Sequence, residues 1–108
     1  MTTDEILDIV TAHIVRTAGV AGGKPRIKGH RITVQNIAIW HERMGMSVDE
    51  IATEYSLTLG EVYAALAYYH DHREEIVVSI RADEAFIEEL KQRSPSQLQE
   101  KLKALRDA

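Results

Sequence analysis

Apolar residues recur at helical spacing in two consecutive stretches near the middle of the chain. Ile51, Ala52 and Tyr55 share one face of the first, and Leu59, Val62, Leu66 and Tyr69 share one face of the second. Each stretch opens with a hydroxyl residue followed three positions later by glutamate, Ser47 with Glu50 and Thr58 with Glu61. The hydroxyl can accept from an open N–H of the first turn while the glutamate reaches back to the cap. Leu57 plugs the very short turn between them. The pattern predicts a helix-turn-helix over 47–69. Small Ala52 lies at the crossing, and Ile51, Tyr55, Leu57, Val62 and Ala65 seal the angle. Ser56 stands where such a turn usually carries glycine.

Upstream, Ile6, Ile9 and Val10 suggest a short helix over 4–10. Adjacent Ile14 and Val15 then read as strand, and Arg26-Ile27-Lys28 alternates beyond the turn residues Gly19, Gly22, Gly23 and Pro25. Residues 13–32 are expected to form a small β-hairpin. A lone hairpin is marginal, so this one must pack on the helices or on a second chain. Thr33 caps a helix running to about Met44, with Val34, Ile37, Ala38, His41 and Met44 in one stripe that Ile39 and Trp40 widen. Gly45 ends it as a left-handed residue.

Downstream, Leu66, Tyr69, Ile76, Ile80, Ile87 and Leu90 keep a heptad-like rhythm, with Arg73 and Asp83 at positions where a strict coiled coil is apolar. Either one helix continues through this stretch with a weak point at Val77-Val78-Ser79, or it breaks there and restarts at Ala82. Pro95 stops it, and Ser96 with Gln99 opens a last helix carrying Leu98, Leu102 and Leu105 on one side. The fold class is therefore mainly α. A small N-terminal β-hairpin precedes a three-helix, homeodomain-like or winged helix-turn-helix unit over 1–79, and an amphipathic helical extension covers 80–108.

The chain has 108 residues, enough for one domain with a modest core and too few for a deep enclosed active site. Cysteine is absent, which excludes disulfides and thiolate chemistry. No apolar run approaches the ~20 residues that span a bilayer, and the acidic start MTTDEILDIV is unlike a signal peptide, so a cytoplasmic location is expected. The formal net charge of −4 argues against generic nucleic-acid binding, yet Lys24, Arg26, Lys28 and Arg31 cluster in an acid-free stretch.

No catalytic constellation emerges, and the chain reads as a non-enzyme without cofactor or metal. His70 and His72 point about 200° apart on a helix, which suits a polar surface better than one ion. His41 lies on the apolar stripe and reads as a semi-buried structural residue beside Glu42. AGVAGGKP over 18–25 is a near miss to a phosphate-binding loop. Pro25 replaces the Mg²⁺-holding Ser or Thr, no helix follows, and a glycine turn feeding a strand explains it.

Two kinds of partner remain. On DNA, residues near the start of the second helix should reach base edges. Here those are Thr58, Gly60, Glu61, Tyr63 and Ala64, none of them Arg, Lys, Asn or Gln. Lys24, Arg26, Lys28 and Arg31 suit phosphates better, and a dimer presents two copies. Candidate DNA contacts are thus Lys24, Arg26, Lys28, Arg31, Thr58 and Tyr63, against the alternative of a solvated turn whose cations balance nearby acids. For a protein partner, Phe86, Ile87, Leu90, Leu98, Leu102 and Leu105 form two amphipathic segments beyond an already complete core. They are expected to dock on another chain, with folding back on their own domain as the alternative.

From 22 to 72 the sequence resembles a bacterial and archaeal family known as domain of unknown function 433. GGKPRIKGHRITVQNIA, then Gly45 with SVDEIATEY, then LTLGEVYAALAYY carry the resemblance. Gly29-His30-Arg31 stands where the family commonly shows Gly-Thr-Arg, which leaves the turn intact. The resemblance implies a β-preceded helix-turn-helix domain in a VapB-like antitoxin of a type II toxin–antitoxin pair. In that picture the domain represses its own operon as a homodimer, and the tail wraps a toxin of PIN-like ribonuclease fold. The alternative, from the residues themselves, is a stand-alone DNA-binding regulator.

Overall fold

A computed structural model describes residues 12–93, 100 and 102–105. The helix expected over 4–10 and the Ser96 cap lie outside these residues. The chain divides into two units, Met1–Ile76 and Val77–Ala108, with the boundary inside one helix.

In the first unit, β1 (Ile14–Val15) and β2 (Arg26–Ile27) pair antiparallel, with Ile14 opposite Ile27 and Val15 opposite Arg26. This is the expected hairpin. Ile14 and Ile27 turn inward and are buried. The connection makes a 3₁₀ turn at Ala21–Gly23, where Ala21 takes a φ of 50° ahead of two left-handed glycines. The N–H groups of Gly23 and Lys24 bond to Val20 and Ala21 carbonyls within the turn. Both donors are engaged within the turn.

The first helix, α1 (Val34–Ala38), opens on Thr33. Its hydroxyl accepts from the Asn36 N–H at 3.0 Å while the Asn36 side chain accepts from the Thr33 N–H. The helix continues as a π turn over Ile39–Arg43, in which the Met44 N–H reaches the Ile39 carbonyl. A π turn inserts one extra residue per turn and rotates everything after it by roughly 100°. Val34, Ile37 and Ala38, ahead of that turn, are buried as the stripe predicts, whereas His41 within it is half-buried and Met44 beyond it swings outward to 64% exposure. The stripe ends earlier than its spacing suggests. Gly45, at φ 70°, supplies the left-handed exit that a Cβ would strain.

Helices α2 (Val48–Glu54) and α3 (Leu59–Asp71) form the helix-turn-helix, each opened by its predicted capping box. Ser56 holds the turn at φ 55°, the glycine-like conformation in a residue with a side chain. Ile51, Ala52, Leu57, Val62 and Ala65 are all buried at the crossing. Tyr55 instead lies half-exposed, its ring stacked on Trp40 with centroids 3.8 Å apart. A second expected face member also departs. Leu59 is 47% exposed, because as the first residue of α3 its side chain leans back beyond the packed turns, where Leu57 already fills the angle.

The helix-turn-helix is locked to the hairpin through Arg16, whose guanidinium donates to the Tyr68 hydroxyl at 2.7 Å and pairs with Glu75. Those two bonds raise the Arg16 pKa above its ordinary value. Helix α3 ends at His72, not at Val77-Val78-Ser79. His72 leaves helical geometry at φ −125°, and its N–H and its Nδ1–H both donate to the Tyr68 carbonyl. That doubled bond closes the helix, and α4 (Arg73–Arg93) then runs unbroken through the β-branched pair. β-Branching lowers helix propensity by only tenths of a kcal/mol per residue, whereas a side chain competing for the backbone carbonyl stops the ladder.

Candidate nucleic-acid and partner-docking surfaces

Helix α3 holds no Lys, Arg, Asn or Gln anywhere along its length. Its first two turns expose Leu59, Gly60 and Tyr63, the last 58% open. The Thr58 hydroxyl is occupied as the cap, accepting from the Glu61 N–H at 3.1 Å. Glu61 in turn accepts from the Thr58 N–H at 2.9 Å, and its other carboxylate oxygen lies 3.3 Å from His30 Nε2. The Thr58 backbone bond, helped by the Thr58 hydroxyl and the charges of His30 and His13, holds the Glu61 carboxyl below its usual pKa against the opposing effect of burial. Glu61 thus keeps its charge, and both carboxylate oxygens are engaged within the protein.

The His30–Glu61 contact has a geometric consequence. It brings the turn after β2, which carries Lys28 and Arg31, to the N-terminus of α3. Both cations are exposed there. Arg26 is placed differently from its neighbours in sequence. It is half-buried, donating to the His30 carbonyl at 3.0 Å and to the Thr17 hydroxyl at 3.1 Å, so it shapes the turn that presents Lys28 and Arg31. Lys24 is half-buried on the approach to β2. Of the six candidate DNA contacts, the structure gathers Lys28, Arg31, Thr58 and Tyr63 around the start of α3, with Thr58 and Arg26 engaged internally.

Among the described residues no group of His, Cys, Asp and Glu has the geometry to hold a metal ion. His41 donates its Nδ1–H to the Met46 carbonyl at 2.8 Å, which fixes the chain after the π turn. His70 lies 3.8 Å from Glu42, and His72 stacks on Tyr68. These are structural engagements. The groove lined by Met46, Asp49, Glu50, Thr53 and Glu54 is shallow and acidic, with a volume of about 360 Å³.

In the second unit the expected docking residues are open. Phe86 is 61% exposed, and Ile87, Leu90, Leu102 and Leu105 also stand out in solvent; Leu98 lies outside the described residues. Residues 102–105 are helical. Along α4 the repeat Ile76, Ile80, Asp83, Ile87, Leu90 alternates steps of four and three. Its first two members are buried and its last two are exposed. No described helix is long and apolar enough to cross a membrane.

Sequence reasoning missed the His30–Glu61 contact and the Arg16 clamp on Tyr68 and Glu75. Both join residues far apart in the chain, and nothing in local spacing signals them. His30 carried a faint hint, as the residue that departs from the Gly-Thr-Arg step.

The comparisons agree with this architecture. No curated protein matches the chain. A family model described as "Protein of unknown function (DUF433)" matches residues 14–69, which covers β1 through the buried end of α3. The chain is also similar to a DUF433 member protein of known crystal structure from Anabaena variabilis. The two are 32% identical with a TM-score of 0.61, over 72% of this chain and 80% of that one. By both measures the chain belongs to the DUF433 family.

Proposed function

We propose that the protein is a non-enzymatic, antitoxin-like component of a type II toxin–antitoxin pair, acting in the cytoplasm. Its helical tail docks on a toxin of PIN-like ribonuclease fold and blocks the nuclease site. The observation that carries this reading is the change along α4, where a stripe buried at Ile76 and Ile80 stands exposed at Ile87 and Leu90 with Phe86 beside them. Large apolar side chains grouped on one helix face favour burial against another protein, at ~25 cal/mol per Å² of apolar area covered. Leu98, Leu102 and Leu105 extend the same docking segment. The test is copurification of the tagged protein from its own cells. A stoichiometric ribonuclease-fold partner that is lost with Phe86→Asp, Ile87→Asp and Leu90→Asp together supports the reading, and a protein that copurifies with nothing contradicts it.

A second reading is favoured by one observation, the placement of Lys28 and Arg31 beside the start of α3 through His30 and Glu61. In that reading the domain is a DNA-binding regulator, either autorepressing its operon within the pair or acting alone. Its affinity rests on phosphate contacts, since α3 offers Tyr63 and little else to base edges.

A further inference from the structure

We infer that His13 and His30 form one phosphate-binding cluster with Lys28 and Arg31, so that a nucleic-acid backbone bound at the start of α3 takes up protons. The inference rests on the reading of the domain as DNA-binding, and adds to it two binding residues and a pH dependence. The local chain builds the cluster. The His30 N–H donates to the Ile27 carbonyl at 3.0 Å and the Ile27 N–H to the Ile32 carbonyl at 2.9 Å, closing a tight turn through Gly29 at φ 82°. Lys28, His30 and Arg31 all lie on that turn. The Lys28 N–H donates to the His13 carbonyl at 2.7 Å, which brings His13 alongside. His30 then reaches Glu61 on α3, and His13 Nε2 lies 3.8 Å from where a Cβ on Gly60 would stand. Two imidazoles and two permanent cations thus gather at one helix start.

Among the described residues, the charged groups around the two imidazoles are Lys28 and Arg31 on the turn, Arg26 on β2 and Glu61 on α3. Arg26 is held half-buried by the His30 carbonyl and the Thr17 hydroxyl. The exposed pair Lys28 and Arg31 against the one carboxylate of Glu61 leaves a single net positive charge when both imidazoles are neutral. Protonation of both raises it to three. Glu61 does not absorb this change, because its carboxylate is already charged at neutral pH and already engaged by the Thr58 N–H. Histidine is the side chain whose charge ordinarily changes between about pH 5 and about pH 8. A phosphate brought beside an imidazole favours the charged form, so binding draws protons in and tightens as pH falls.

The test is fluorescence anisotropy of a fluorescein-labelled, mixed-sequence DNA duplex with the full-length protein, at fixed low salt, between about pH 8 and about pH 6. Wild type is expected to tighten about 25-fold over this range, about fivefold for each imidazole, as for a unit charge a few ångströms from a phosphate in water. His13→Gln and His30→Gln each keep a hydrogen-bond donor but take up no proton. Each single variant should keep only about a fivefold gain. The double variant should bind with nearly the same affinity at both ends of the range. His70→Gln, at the far end of α3 beside Glu42, should keep the full gain. Wild-type affinity flat in pH overturns the inference and leaves the DNA-binding reading standing. So does a double variant weakened by the same factor at every pH, which assigns the two histidines a structural role. Loss of the gain in His70→Gln also overturns it, since overall charge is then the cause. No binding by wild type at any pH overturns both.

Discussion

His30 Nε2 lies 3.3 Å from Glu61 Oε2, joining the turn after β2 to the first turn of α3. The contact does two things at once. It engages the carboxylate at the helix start, and it carries Lys28 and Arg31 to that same place. The turn after β2 thereby sets two exposed cations beside a helix that holds no Lys or Arg.

The depressed Glu61 pKa makes a signed prediction. A carboxyl whose folded pKa lies below its unfolded value stabilises fully above the unfolded value, near 4.5, and loses that contribution as pH falls through the folded one. Glu61→Gln keeps the capping reach but cannot titrate. Urea unfolding from pH 7 to pH 3 should therefore show a shallower acid decline for this variant than for wild type. Thr58→Ala, which removes the reciprocal cap, should cost about 1 kcal/mol at neutral pH.

The three turn cations should separate into two classes. Arg26→Ala removes two hydrogen bonds that shape the hairpin and should lower stability by about 1–2 kcal/mol in chemical denaturation. Lys28→Ala and Arg31→Ala, at exposed positions, should each stay within about 0.5 kcal/mol. If the domain binds operator DNA, these two exposed substitutions should each reduce the salt dependence by about one unit of slope, measured by fluorescence anisotropy.

Ser56 is held left-handed at the corner of the helix-turn-helix. Glycine takes this conformation without a Cβ penalty, so Ser56→Gly should stabilise the domain by about 0.5–1 kcal/mol. A loss of stability on this change would show that the serine hydroxyl matters more to the turn than its backbone does.

Trp40 and Tyr55 stack face to face between the π turn and the end of α2. A double-mutant cycle with Trp40→Leu and Tyr55→Leu should return a coupling of about 0.5–1.5 kcal/mol. The single tryptophan makes its fluorescence a direct reporter of the same contact.

Local chemistry made much of the fold legible. The capping boxes at Ser47 and Thr58, the crossing at Ala52 and Ala65, and the hairpin of Ile14 with Ile27 all rest on short-range periodicity and cap spacing, which the chain states openly. What periodicity could not show is where a helix changes its winding or stops. The π turn after Ala38 throws Met44 off its stripe, and the His72 imidazole ends α3 in a stretch without Gly or Pro. Both outcomes depend on which carbonyl a particular N–H finds. The candidate surfaces were legible as composition, a basic turn and an apolar tail. Their arrangement was not, because Arg26 turns inward and His30 reaches α3 only once the chain is folded.

In the proposed function the exposed apolar face of the tail silences a ribonuclease. The measurement to make is RNA cleavage by the copurified partner, titrated with the purified wild-type protein and with the Phe86→Asp, Ile87→Asp, Leu90→Asp variant. Wild type should suppress cleavage stoichiometrically, and the variant should leave it at least tenfold higher at equal concentration, a loss of about 1.4 kcal/mol or more. Equal suppression by both proteins, or a partner without ribonuclease activity, would contradict it.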